Sequence, residues 1–199
     1  MARAGELGLP QRRGRALDFG CGVGRHARVL AEHFDEVVGV DVSEEMVRLA
    51  RRLHEDVEGL EFVVNVDERL AGFPEGAFDL VQSLLVLQHL PDEDAILVYI
   101  AEMLRILRPG GLLFFQVPVG AQRRRRLQAR RRLYAALRRT GVPAAALYGR
   151  LGLNPVRMTS APADRVEARI AAGGGRVVAQ EPAPVGAGYR SAAYWVAKS

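Results

Sequence analysis

Leu17-Asp18-Phe19-Gly20-Cys21-Gly22-Val23-Gly24 is the stretch on which the fold turns. A short apolar strand, Ala16 to Phe19, runs into a loop with glycine at every second position, and a segment of helical periodicity follows. Alternating glycines permit positive φ and let a ligand approach bare backbone, whose amides point outward where a helix begins. A glycine-rich loop alone is a weak signal. Counted from Gly20, the dinucleotide spacing G-x-G-x-x-G requires glycine where Arg25 stands; counted from Gly22 it runs through Ala27, a weaker match. Asp18 sharpens the reading. Its carboxylate lies at the strand end beside the loop, where it would repel a pyrophosphate and attract a ligand carrying an ammonium and a sulfonium.

Working outward, β-branched and aromatic runs alternate with helical stretches, the pattern of βαβ units around a parallel sheet. Strands are expected at Ala16 to Phe19, Glu36 to Val40, Leu60 to Val64, Phe78 to Ser83 and Leu112 to Val117. A first helix is expected from Arg25 to His33, with Val29, Leu30 and Phe34 as its apolar positions. A second follows the N-cap candidate Ser43, with Met46, Leu49 and Ala50 on its apolar stripe. A third, Asp92 to Leu107, stops at Pro109-Gly110-Gly111, a breaker before a new strand. Beyond Val119 the alternation is interrupted. Gln122 to Arg139 and Ala161 to Ala172 read as helices, and Arg176 to Gln180 with Ser191 to Ala197 as an antiparallel hairpin at a sheet edge. The expectation is one domain over 1–199, with its core at 15–118 and 161–199 and a basic helical insertion at about 119–160.

At 199 residues and 49% apolar composition the chain can bury a sizeable core. No run is long and apolar enough to span a membrane, and the first fifteen residues carry no apolar signal region, so a cytoplasmic location is expected. The single cysteine, Cys21, agrees with a reducing compartment and supplies no zinc cluster. The net charge of +5 is uneven: eleven arginines and no acid lie between Val119 and Ala163, leaving 17 basic against 23 acidic groups elsewhere, a balance of −6. The basic character belongs to one segment, which weakens any argument for nucleic-acid binding from overall pI.

The second strand ends in Val38-Gly39-Val40-Asp41-Val42-Ser43. A carboxylate at that strand tip can accept hydrogen bonds from both hydroxyls of a ribose, and ligands of open α/β sheets bind at strand carboxyl ends. Taken singly, each acid has a plainer reading. Asp18 could brace the loop, Asp41 could cap the second helix, and Met46 reads as core. Asp79 reads as structural.

In its acid, its spaced glycines and Asp41, the chain resembles the class I S-adenosylmethionine-dependent methyltransferases, whose first motif reads acid-x-Gly-x-Gly-x-Gly. The resemblance covers about Arg15 to Pro118. It implies a Rossmann-like, doubly wound, seven-stranded and mostly parallel sheet with an antiparallel last strand. It further implies that Asp18 engages the methionine amino end of the cofactor, that Gly20, Gly22 and Gly24 line it, and that Asp41 holds the ribose. By the same likeness Val42 and Met46 pack near adenine and Ser83, ending the fourth strand, adjoins the cofactor. Asn65-Val66-Asp67 matches the third cofactor site, with Asp67 preferred for the adenine amino group and Asn65 as the other register. Leu104 to Gly111 matches the family's turn into its fifth strand. The family normally carries a longer, often helical, segment ahead of its first strand, where fifteen residues precede Ala16 here.

A sulfonium methyl is already a strong electrophile, so such a protein chiefly aligns the acceptor and excludes water. A hydroxyl acceptor needs a base, and His89, just beyond the fourth strand, is the candidate catalytic residue; its plainer reading is a cap on the next helix. His26, His33 and His54 read as surface or packing residues. Ser83-Leu84-Leu85-Val86 stands where adenine and glutamine N-methyltransferases carry a proline-aromatic motif, and Cys21 is misplaced for a cytosine C5 nucleophile. Arg123 to Arg126 and Arg130 to Arg132 offer a phosphate-binding surface, yet with Tyr134 as the one ring nearby they read best as a solvated helix. The expected function is methyl transfer to a small molecule, at oxygen. The rivals are an RNA methyltransferase using the basic segment, a non-catalytic cofactor-binding module, and, more distantly, a nicotinamide dehydrogenase.

Overall fold

The computed structural model describes residues 2–66, 69–121, 129–143, 146–147, 158–183 and 189–199. In chain order these form α1 (Ala2–Glu6), β1 (Arg15–Phe19), α2 (Arg25–Leu30), β2 (Glu36–Asp41), α3 (Glu44–Leu53), β3 (Leu60–Val64) and β4 (Phe78–Ser83). A 3₁₀ turn at Leu87–His89 leads to α4 (Glu93–Ile106), β5 (Leu107–Ala121), α5 (Ala129–Arg139), α6 (Ala163–Ala172), β6 (Gly175–Ala183) and β7 (Tyr189–Lys198). The seven strands make one sheet in the order β3-β2-β1-β4-β5-β7-β6. The first five are parallel, and β7 lies antiparallel to both β5 and β6. This is the Rossmann-like doubly wound sheet expected from the sequence, with its last strand inserted between β5 and β6.

Alternation along the buried strands sends successive side chains to opposite faces. Leu17, Phe19, Val81, Leu113 and Phe115 pack on one face against Ile96, Ile100, Met103 and Leu104 of α4 and Val166 and Ile170 of α6. Ala16, Leu80 and Leu112 face the other way, toward Ala4, Ala27, Leu30, Val47 and Ala50 of α1, α2 and α3. Each large apolar side chain so buried contributes about 1.5–3 kcal/mol. Local chemistry agrees with the packing. The Ser43 side chain accepts from Met46 N at the start of α3, and Asp92 does the same for Ala95 N at the start of α4.

Three expectations about element bounds change. The first helix ends at Leu30 and is followed by a turn, which puts His33 outside it and leaves Val29 half exposed. The fifth strand begins directly after α4, so Arg108-Pro109-Gly110-Gly111 is a bulge within it and not a separate breaker. The reason is Asp79. Fully buried, it accepts from Arg15 N at 2.8 Å and pairs with Arg108 at 3.1 Å, and β5 loops around that pair between Leu107 and Leu112. The structural reading of Asp79 therefore holds. Finally, β5 stays paired with β7 as far as Ala121, so residues 119–121 belong to the sheet and not to the insertion. Within the basic segment, Arg123 to Arg126 lie outside the described residues, and α5 carries Arg130 to Arg132, of which Arg132 is exposed.

Candidate functional site

The chain runs outward from β1 through β2 to β3 and then returns to place β4 against the other side of β1. The loops leaving β1 and β4 thus diverge, and a crevice opens between them at the carboxyl ends, the topological switch point where such sheets bind ligands. The glycine loop forms one wall and Leu84 to Leu90 the other.

The three glycines do different work. A Cβ on Gly20 would sit 2.2 Å from a Val86 methyl, and one on Gly24 would sit 2.5 Å from the Phe62 ring. Both positions are small because the protein packs against them. Gly22, at φ +54°, has nothing within 4 Å of where its Cβ would be, so its bare backbone is the one that faces open space. The loop is held from behind. Gly20 N and Cys21 N both donate to Val40 O, and His54, the C-cap of α3, lies with Nε2 3.0 Å from Val23 O while stacking on Phe62. His54 is a packing residue, as its sequence position suggested.

Asp41 closes the same loop. Its Oδ2 accepts from Gly22 N at 2.8 Å and its Oδ1 from Ser43 N at 2.9 Å. Neither its plainer reading as a helix cap nor a purely ligand-directed role describes this: the cap is Ser43, and the carboxylate ties β2 to the glycine loop. A carboxylate offers about four acceptor positions, so two stay available. Val42 and Met46, beside it, are 69% and 40% exposed. Met46 is therefore not a core residue, and the two present an apolar surface flanking Asp41. Val66, beyond β3, is 72% exposed in the same way. Asp67 lies outside the described residues; Asn65 N donates to Asp41 O at 2.9 Å.

Asp18 is 2% exposed. Gln82 Nε2 donates to its Oδ1 at 3.1 Å, and its Oδ2 has no partner among the described residues. Burial pushes its pKa up to about 6, against which Gln82, the nearby His26 and the backbone amide of Ala27 act, while Asp41 pushes the same way as burial. The Ala27 amide is too weakly placed to count as a hydrogen bond to Oδ2. Burial, with Asp18 and Asp41 adding to it, also raises the pKa of the Cys21 thiol, which argues against a reactive thiolate in the loop. An isolated buried carboxylate oxygen costs stability unless something else satisfies it. Here the two carboxylates feel one another across the glycine loop, a local field that favours a cation.

On the β4 side, Ser83 is fully buried and its Oγ lacks a partner among the described residues. Leu85 adopts φ +60°, a conformation non-glycine residues avoid, and is half exposed. Strain of this sort persists only where surrounding contacts impose it; the neighbour Val86 is the residue against Gly20. His89 closes the 3₁₀ turn and is exposed, with Nε2 3.4 Å from Gln88 Nε2. The cap of α4 is Asp92, so His89 is not the helix cap that its plainer reading proposed. Thr159 anchors this turn, donating from N to Gln88 O and from Oγ1 to Leu90 O at 2.7 Å.

Sequence reading missed Gln82, Val86 and Thr159. The first was findable only once β4 is known to pair with β1, which puts Gln82 directly opposite Asp18. In fact one cross-strand row, Phe62-Gly39-Asp18-Gln82-Phe114-Trp195, runs across five neighbouring pairs on the α2 face.

A doubly wound sheet with an acid before its glycine loop and another at the tip of β2 defines a nucleoside-binding α/β domain. Residues 17–115 match the family model described as a methyltransferase domain. Over 98 residues the chain is 37% identical to 2-methyl-6-phytyl-1,4-hydroquinone methyltransferase of Synechocystis, covering 49% of this chain and 30% of that protein. Over 106 residues it is 41% identical to ubiquinone biosynthesis O-methyltransferase of Xanthomonas oryzae, covering 50% and 41%. The chain thus spans less than half the length of these relatives. Among solved structures, magnesium protoporphyrin IX methyltransferase of Synechocystis with bound S-adenosylhomocysteine superposes at TM-score 0.67 with 20% identity, covering 100% of this chain and 80% of that one. A methyltransferase from Clostridium acetobutylicum gives 0.69 with 16% identity, covering 99% and 88%. Residues 17–115 thus carry a methyltransferase domain, and the sheet is that of the S-adenosylmethionine-dependent methyltransferases.

Proposed function

We propose that this chain transfers a methyl group to a hydroxyl of a small molecule, with S-adenosylmethionine as donor. The observation that carries the reading is the buried, unpartnered Oδ2 of Asp18 at the foot of a loop whose Gly22 faces open space. A cationic amino acid end satisfies that oxygen; an anionic pyrophosphate does not, and this separates the proposal from a nicotinamide cofactor. S-adenosylmethionine supplies, when bound, a methyl group already activated by its sulfonium.

The residues present fit that group. Asp18 holds the ammonium, and the free acceptor positions of Asp41 take the ribose hydroxyls while its bonds to Gly22 and Ser43 keep the loop in place. Val42 and Met46 cover the adenine, and Asp67, or Asn65 in the other register, accepts from its amino group. Ser83 Oγ lies at the end of β4 as a further polar contact. His89 takes the proton from the acceptor hydroxyl, in keeping with its exposed place on the β4 loop. The names of the ubiquinone and hydroquinone relatives, which share the matched region, support a small-molecule acceptor.

The test is calorimetry with S-adenosylmethionine and S-adenosylhomocysteine, followed by a radiolabelled methyl assay over a set of phenols, carboxylic acids and RNA. Binding of both nucleosides with label appearing in a hydroxyl compound is expected, and His89→Ala should slow turnover at least tenfold with cofactor affinity unchanged. Absence of binding refutes the reading. Binding with label entering RNA alone moves the acceptor to the basic segment, and unchanged turnover in His89→Ala removes that residue from the chemistry.

A further inference from the structure

The cross-strand row does not stop at the acid. Past Gln82 it continues into Phe114 and Trp195, whose rings stack with centroids 4.0 Å apart at 23°. Over them, between the sheet and α2, lies a cavity of about 170 Å³, walled by Leu80, Leu84 and Val29 and edged by Gln82 and His26. The mechanism above makes no use of it.

We propose that this cavity is the subsite for the ring of the acceptor, and that the acceptor is a single-ring phenol. The inference rests on the methyl-transfer reading and deepens it. Volume limits the occupant, since an apolar cavity of about 150 Å³ holds one benzene. The wall selects a flat ring, because stacked aromatic side chains favour offset or edge contacts with another π-system by about 0.5–1.5 kcal/mol over area alone. Polarity orients it. Gln82 and His26 line the cavity, and Gln82 also reaches Asp18, whereas the far end is hydrocarbon. A ring over Phe114 lies beside Gln82, which stands next to Asp18 on the neighbouring strand, and so adjoins the place where Asp18 holds the methionine end of the donor. An aliphatic or highly charged acceptor gains none of this.

Trp195 is the one tryptophan in the sequence and so reports directly. With the protein saturated by S-adenosylhomocysteine, titration with catechol should quench its emission saturably, and the non-aromatic cyclohexane-1,2-diol should not. Val29→Phe, which places a ring at the cavity wall, should weaken catechol binding at least tenfold while calorimetry shows unaltered S-adenosylhomocysteine affinity; Leu84→Phe serves if that variant does not fold. Loss of S-adenosylhomocysteine binding by the unaltered protein would refute the proposed function as well. With that binding intact, three results overturn the ring subsite alone: no saturable quenching, equal quenching by the diol, or full catechol affinity in a folded filled-cavity variant.

Discussion

Two alanine substitutions, two residues apart in the glycine loop, should separate folding from binding. Gly20→Ala puts a methyl 2.2 Å from Val86 at φ +75°, whereas Gly22→Ala puts one into open space at φ +54°. The left-handed backbone costs either alanine about 1–2 kcal/mol. Gly20→Ala adds about 1–3 kcal/mol for overpacking, a total of about 2–5 kcal/mol. At about 2–4 °C per kcal/mol for a domain of this size, Gly22→Ala should lower Tm by about 2–8 °C and Gly20→Ala by about 4–20 °C. Cofactor affinity should move in the opposite order. Gly22→Ala, with its methyl in the crevice, should weaken S-adenosylhomocysteine by tenfold or more in calorimetry, while the folded fraction of Gly20→Ala loses less. Circular dichroism melts and titrations on the same preparations read both quantities. Equal Tm losses, or native affinity in Gly22→Ala, would refute the division of labour within the loop.

Asp18 predicts a stability profile with an unusual sign. Its folded pKa of about 6 lies above the ordinary 3.8, so between these values the folded state holds more protons than the unfolded one, and stability falls as pH rises from about 4 to 6. The full contribution is about 2–3 kcal/mol at neutral pH. Asp18→Asn should therefore melt higher than the parent at pH 7, lose that pH dependence, and fail to bind S-adenosylmethionine; a variant that melts lower at pH 7 contradicts the account. In the parent, affinity for the cationic cofactor should strengthen as pH rises through about 6, seen by calorimetry at pH 5 and 7.5. Asp79→Ala, by contrast, leaves the guanidinium of Arg108 and the amide of Arg15 without their buried partner and should cost about 3–5 kcal/mol in denaturant melts, with cofactor affinity of the folded protein unchanged.

How much of this was legible beforehand depends on whether the cause was local. The strand at Leu60–Val64, the cap Ser43 and the hairpin of β6 with β7 follow from side-chain period and turn chemistry within a few residues. The motif at Asp18 through Gly24 was equally readable, because its acid and glycines sit together in sequence. Bounds set by distant partners were not. The run of β5 through Arg108-Pro109-Gly110-Gly111 is imposed by buried Asp79, and the exposure of Met46 follows from the crevice beside it, so neither shows in helical spacing. Gln82 was invisible for the same reason: its meaning comes from standing opposite Asp18 on another strand.

The insertion of β7 between β5 and β6 sets an order of assembly. Of the seven strands, β7 follows β6 in the chain yet lies inside the sheet, so β6 has no partner among the other described strands until Tyr189–Lys198 has emerged. Until then β5 presents a long unpaired edge, the kind that recruits other chains. Synthesis interrupted shortly before Tyr189 would therefore yield an aggregation-prone species, although Asp18, Asp41 and the whole glycine loop would already have been translated.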